Sequence, residues 1–111
     1  MSLDSLPGVK EVIRQHSLRT NRSLGQHFLL DMNLAGRIAN SAGDLTGITI
    51  YEVGPGPGTL TRALLKTNAL RIIGVERDER CVKALSDLLK ASGDRLRLIN
   101  GDALKIDEFN L

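Results

Sequence analysis

The chain has 111 residues, 41% of them hydrophobic and 25% charged, and carries a formal net charge of +2 with a pI near 9.0. That is one domain at most, and a single cysteine and two widely spaced histidines leave no internal disulfide and no recognisable metal-ligand pattern. With no secretory signal, transmembrane run, repeat or low-complexity tract in the sequence, a soluble protein of the reducing cytoplasm, without membrane or metal partners, is expected.

In chain order, Leu6-Pro7-Gly8-Val9-Lys10-Glu11-Val12-Ile13-Arg14 predicts a short helix with Val9, Val12 and Ile13 on one side, and His16 reads as a surface residue. Arg19-Thr20-Asn21-Arg22-Ser23 is a polar connector. Residues 1–30 hold Lys10, Arg14, Arg19 and Arg22 against Asp4 and Glu11, whereas the remainder carries eleven charges of each sign. All the positive excess is therefore amino-terminal. A basic arm of this kind suits a nucleic-acid backbone, and a solvated arm without a partner explains the same charges. After Leu24-Gly25-Gln26-His27-Phe28-Leu29-Leu30, a helix is predicted over Met32–Asn40, capped by Asp31 and turning Leu34 and Ile38 inward.

Ile48-Thr49-Ile50-Tyr51-Glu52-Val53 is short, apolar and β-branched, and reads as a buried strand. It runs into Gly54-Pro55-Gly56-Pro57-Gly58 and then Thr59-Leu60-Thr61-Arg62-Ala63-Leu64-Leu65, a predicted helix with Thr59 as its cap. Strand, glycine loop and helix in this order make a nucleotide cradle, because a side chain in the loop would hold the backbone away from a ligand. Thr59 stands where the dinucleotide pattern G-x-G-x-x-G needs its third glycine, so that pattern fits poorly. No phosphate-gripping G-x-x-x-x-G-K-[ST] occurs either. The second strand, Leu70–Glu76, ends on an acidic residue 22 positions after Gly54. Glu52 before the loop and Glu76 after the next strand instead match S-adenosylmethionine (SAM) sites in Rossmann-like methyltransferases. A carboxylate accepts from two vicinal ribose hydroxyls at once. The plainer alternative is a tight turn made of glycine and proline.

A helix over 78–90, capped by Asp78 and ended by Gly93, would place Val82, Leu85 and Leu89 on one stripe. Cys81 on that helix reads as a small buried residue rather than a nucleophile. Arg95–Ile99 alternates as a third strand and leaves Asp102 at its carboxyl end, where open α/β sheets bind ligands. Asp102 could accept from an adenine amine, or serve as an ordinary turn residue or helix cap.

Taken together, Leu24-Gly25-Gln26-His27-Phe28-Leu29, Tyr51 through Thr61, Glu76 and Gly101-Asp102-Ala103 closely resemble the ribosomal RNA adenine N6,N6-dimethyltransferases, from about Arg19 to Ala103. Pro55 and Pro57 favour the bacterial small-subunit enzymes over the macrolide-resistance methyltransferases of large-subunit rRNA. The resemblance implies a Rossmann-like class I SAM-dependent methyltransferase fold, an α/β architecture of which this chain carries three strands of a doubly wound sheet. It further implies that His27 and Leu29 contact SAM with Gln26 in the same cleft, that Gly54 and Gly56 pass beneath the methionine and ribose portions, that Glu76 holds the ribose, and that Asp102 and the Ala103 amide read the adenine. The implied reaction is in-line attack of a flipped adenosine N6 on the sulfonium methyl, on two adenosines of small-subunit rRNA during ribosome biogenesis.

Two departures accompany these matches. The family's catalytic Asn-Leu-Pro-[Tyr/Phe] motif is not in the chain, and neither is its carboxyl-terminal helical domain. The expectation is a basic, cofactor-covering arm over 1–30 and a partial SAM-binding domain over 31–111, cut before the fourth strand, inactive by itself, with an open edge on the first strand. Small-subunit rRNA, or an immature small subunit, is the implied partner. A large-subunit rRNA methyltransferase, a non-catalytic ribosome-assembly module and an NAD-binding domain are the alternatives.

Overall fold

A computed structural model describes residues 3–18 and 28–106. Its centre is a parallel sheet of β1 (Thr49–Val53), β2 (Arg71–Glu76) and β3 (Leu96–Asn100), in that spatial order. Parallel neighbours require crossovers. Helix α3 (Thr59–Leu65) links β1 to β2, and α4 (Glu79–Ala84) with α5 (Ser86–Ser92) links β2 to β3. Ahead of the sheet lie α1 (Val9–Gln15) and α2 (Met32–Asn40). The three strands fall within a residue of the predicted spans.

Register decides which side chains share a face. Ile50, Ile72 and Leu96 lie abreast, as do Glu52, Gly74 and Leu98. This face packs against Ala63, Leu64 and Leu65 of α3, Leu88 of α5 and Ala35 and Ala39 of α2, with Leu85 among them, and forms the main core. On the other face Ile73 and Val75 are buried at the sheet centre, while Val53 on the outer strand is 72% exposed. Among the described residues β1 pairs only with β2, so the first strand presents the open edge that was expected.

Residues 3–18 pack onto the same body as the sheet. Leu3 and Leu6 touch the main core, and Val12 and Leu18 form a second cluster with Cys81 and Ala84, flanked by Ile13 and Phe28. Val9 and Val12 are the buried side of α1, as its spacing predicts, and His16 is exposed. Burial, followed by the nearby Glu76 and Asp78 carboxylates, pushes the Cys81 thiol up to about 12. It stays a thiol at neutral pH, as a packing residue should.

Three sequence expectations change. Helix α2 is capped by Asp31, whose carboxylate accepts from the Asn33 and Leu34 amides, but Ala35 and Ala39 face inward while Leu34 and Ile38 are exposed. Small residues let α2 approach α3 closely, and a reading weighted by side-chain size picks the wrong stripe. The helix predicted over 78–90 is interrupted at Leu85 (φ −85°, ψ −1°). Its buried residues are Cys81, Ala84, Leu85 and Leu88, whereas Val82 is half-buried and Leu89 lies outside. Thr59, finally, is the first residue of α3 and not its cap; Gly58 occupies the cap position at φ 97°.

A cation closes the far end of α3. Arg95 donates to the carbonyls of Leu65 (2.6 Å), Thr67 (3.1 Å) and Ala69 (2.8 Å), the first an acceptor that the helix end leaves without a partner and the other two in the connection from α3 to β2.

Candidate cofactor site

The glycine loop is built from the ends of the strands. The Gly54 amide donates to the Val75 carbonyl (2.8 Å) and the Gly58 amide to the Pro55 carbonyl (3.0 Å), which closes a turn over residues 55–58. A Cβ at Gly58 would come within 2.8 Å of Leu85 Cδ2, on a backbone at φ +97°. Only glycine permits both the conformation and the approach of α3 to the α4–α5 junction. Gly74 has a comparable packing function within β2. A Cβ there would stand 3.0 Å from Leu98 and 3.2 Å from Pro55, so its absence seats the loop proline on the sheet.

Two buried carboxyls bracket this loop, and their surroundings differ. Glu76 accepts from the Gly56 amide through Oε1 and from the Asp78 amide through Oε2, both at 2.9 Å. It thereby ties the glycine loop to the start of α4, where Asp78 caps through the Arg80 amide as predicted. Its backbone carbonyl accepts from Gly101 N and Asn100 Nδ2, which joins the ends of β2 and β3. Glu52 is 8% exposed and receives the Thr61 hydroxyl at 2.6 Å. Desolvation raises its pKa, the Thr61 bond opposes this, and the Glu76 charge adds to the rise, leaving it at about 7. A carboxyl poised there is unusual.

Phe28 and Leu29 come down onto the loop from outside the sheet. The Leu29 carbonyl accepts the Thr59 hydroxyl at 2.5 Å, and a Cβ at Gly56 would lie 3.3 Å from the Phe28 ring. Between this segment and the loop is a cleft of about 160 Å³, lined by Phe28, Leu29, Glu52, Gly54 and Gly56 among others. The donor and acceptor set fits one end of SAM: an acidic group for an ammonium, glycine backbone for close approach, and apolar walls. Its volume is below the roughly 300 Å³ at which ligand pockets begin, so it corresponds to part of the cofactor.

Of the sequence-derived site residues, Leu29, Gly54 and Gly56 meet in this cleft. Glu76 is not among the residues lining it, although it accepts from the amide of Gly56, which is. A carboxylate has about four lone-pair sites, and those two amides take two of them. Asp102 follows β3 and accepts from the Leu104 amide (3.0 Å), capping the short 3-10 turn Ala103–Lys105. The cap alternative for Asp102 is thus realised, and Ala103 begins the turn. His27 and Gln26 lie outside the described residues. Sequence reasoning gave no role to Phe28, to Gly74 or to the Glu52–Thr61 pair. A glycine inside a strand pattern was a usable signal for the second of these; the others depend on residues distant in the chain.

Among the described residues no group of three or more His, Cys, Asp or Glu side chains is placed to hold a metal, and no helix is long and apolar enough to cross a membrane.

A parallel sheet with a glycine loop after its first strand and acidic residues beside that loop defines a class I methyltransferase fold. Solved structures agree. A 23S rRNA methyltransferase, ErmE, is 32% identical with a TM-score of 0.64, over 73% of this chain and 32% of that one. A dimethyladenosine transferase from Plasmodium falciparum is 27% identical with a TM-score of 0.63, over 73% and 30%. The family model for ribosomal RNA adenine dimethylase matches residues 17–111, and the chain belongs to that family. Two curated relatives are each a ribosomal RNA small subunit methyltransferase A. The one from Mesorhizobium japonicum is 54% identical over 107 residues, and the one from Xanthobacter autotrophicus 56% over 106. Each alignment covers 96% of this chain but only 38% and 37% of the relative.

Proposed function

We infer that this chain is the SAM-binding part of an rRNA adenine N6,N6-dimethyltransferase acting on small-subunit rRNA. The observation that carries this is the glycine loop held between Glu52 and Glu76 at the carboxyl ends of β1 and β2, in a chain of the adenine dimethylase family. The small-subunit assignment is supported by the names and the 54–56% identity of the curated relatives.

The cofactor supplies an electrophilic methyl group on a sulfonium. The chain's own residues bind and orient it. Gly54 and Gly56 bring bare backbone to the methionine and ribose portions, Leu29 and His27 cover them, and Glu76 takes the ribose hydroxyls on its remaining lone pairs. Asp102 and the Ala103 amide read the adenine edge. The first amide of a helical turn has no carbonyl within that turn to donate to. Residues 1–30 supply the basic, cofactor-covering segment for RNA, its described part 3–18 seated on the sheet body, and 31–111 supply the cofactor domain. The side-chain and backbone groups that orient the target amine belong to the Asn-Leu-Pro-[Tyr/Phe] motif, which this chain does not contain. Orientation is worth about 7–11 kcal/mol of barrier, so the 111-residue chain binds cofactor without methylating RNA.

Calorimetry with S-adenosylhomocysteine (SAH) and with NAD tests the cofactor reading. SAH binding with no NAD binding is expected, and the reverse result would replace the reading by a dinucleotide domain. Tritium transfer from labelled SAM to undermethylated small subunits tests the rest: no incorporation by this chain, and incorporation once a relative's continuation through the missing motif is joined to it. Robust incorporation by the 111 residues alone would place the acceptor site among residues assigned here to the cofactor.

A further inference from the structure

The two carboxyls that bracket the glycine loop are unequally compensated. Glu76 has two backbone amides aimed at it, whereas Glu52, equally sequestered, has the Thr61 hydroxyl. The Glu76 charge acts on Glu52, and a buried carboxyl whose one donor is a neutral hydroxyl is poorly compensated as an anion. Glu52 is also the one of the pair that lines the cleft.

We propose that Glu52 is protonated in the free protein and gives that proton to solvent when a ligand bearing a primary ammonium enters the cleft, so that cofactor uptake is coupled to proton release. This rests on the cofactor reading and adds to it a residue that distinguishes the amino-acid end of the ligand from its nucleoside end. Its physical basis is an exchange of partners. A cation beside Glu52 supplies the compensation that a single hydroxyl does not, and the carboxylate then becomes the favoured form. The elevated pKa of about 7 agrees with the same geometry.

The groups that face Glu52 are few. From β2 the charge acting on it is Glu76, and from α3 the contact is the neutral Thr61 hydroxyl. The remaining described cleft residues, among them Phe28, Leu29 and Leu60, are uncharged. His27, next in the chain to Phe28, lies outside the described residues and is separated from Glu52 by the test.

Carbon-13 spectra of the Glu52 carboxyl provide that test, recorded on the 111-residue chain at pH 6 with SAH and with 5′-methylthioadenosine, the same nucleoside without the amino-acid end. The expected result is a shift of the Glu52 resonance to its ionised position on saturation with SAH and none with methylthioadenosine. SAH affinity should rise about tenfold from pH 6 to pH 8. In Glu52→Gln that rise should vanish, while methylthioadenosine affinity stays unchanged. SAH binding that leaves the Glu52 resonance in place, or a pH dependence that survives in Glu52→Gln, overturns the proposal and leaves the cofactor reading standing. If neither ligand binds, both fall.

Discussion

Replacing Glu52 by Gln isolates the cost of burying this carboxyl, because glutamine retains the acceptor for Thr61 and cannot ionise. In the folded protein the Glu52 pKa is raised from 4.5 to about 7, with desolvation as the largest cause and Glu76 adding to it. The folded state therefore holds this proton more tightly than the unfolded chain does, and between those two values it binds more protons. Stability must then fall as pH rises through that window. At about 1.4 kcal/mol per tenfold change in the acid constant, the full penalty is roughly 3 kcal/mol, absent below the unfolded value and complete above the folded one. Urea unfolding of both proteins at pH 5, 6, 7 and 8, with shared slopes, reads it directly. The variant should exceed the parent by about 1 kcal/mol at pH 5, which already lies above the unfolded value, and by roughly 3 kcal/mol at pH 8. Titrating groups not coupled to Glu52 cancel in the difference, and the charge acting on it, Glu76, is part of the penalty being read. A difference that does not vary with pH would show that Glu52 is ionised throughout, and would remove the basis for proton-coupled binding as well.

Glu76→Gln turns an amide NH₂ against a backbone donor from Gly56 or Asp78, so stability should drop by about 2 kcal/mol and SAH affinity by at least about tenfold; a folded variant with unchanged SAH affinity would remove Glu76 from the cofactor site. Gly58→Ala must accommodate φ +97° and a 2.8 Å approach to Leu85, and should cost about 2 kcal/mol or more in thermal or urea unfolding. Little change would mean that α3 can move off the α4–α5 junction. Arg95→Ala strips three carbonyls of their donor and should lower stability by about 1–3 kcal/mol, while Arg95→Lys recovers only part because an ammonium lacks the planar fork. Full recovery with lysine would show that charge alone suffices at the end of α3.

The local grammar of the chain settled much of what it is. A β-branched run ended by glycine, an apolar run ending on Glu76 and an alternating run gave three strands to within a residue, Asp31 and Asp78 announced their helix starts, and Glu52, Gly54, Gly56 and Glu76, with Thr59 where a third glycine would stand, set a SAM-type cradle apart from a dinucleotide loop. These features are legible because each depends on neighbours in sequence: a cap needs the next two or three amides, and a turn needs a residue tolerant of positive φ. What required the tertiary structure was everything set by distance across the fold. Ala35 and Ala39, not Leu34 and Ile38, face the core because α3 sets how closely α2 approaches. Thr59 is freed from capping because the Leu29 carbonyl, 30 positions away, takes its hydroxyl. Glu52 and Glu76 look alike in the sequence, as acidic residues at strand ends. Their difference arises only when the loop folds back and gives one of them two amides and the other a single hydroxyl, since burial and donor geometry, not residue type, decide how well a buried carboxylate is compensated.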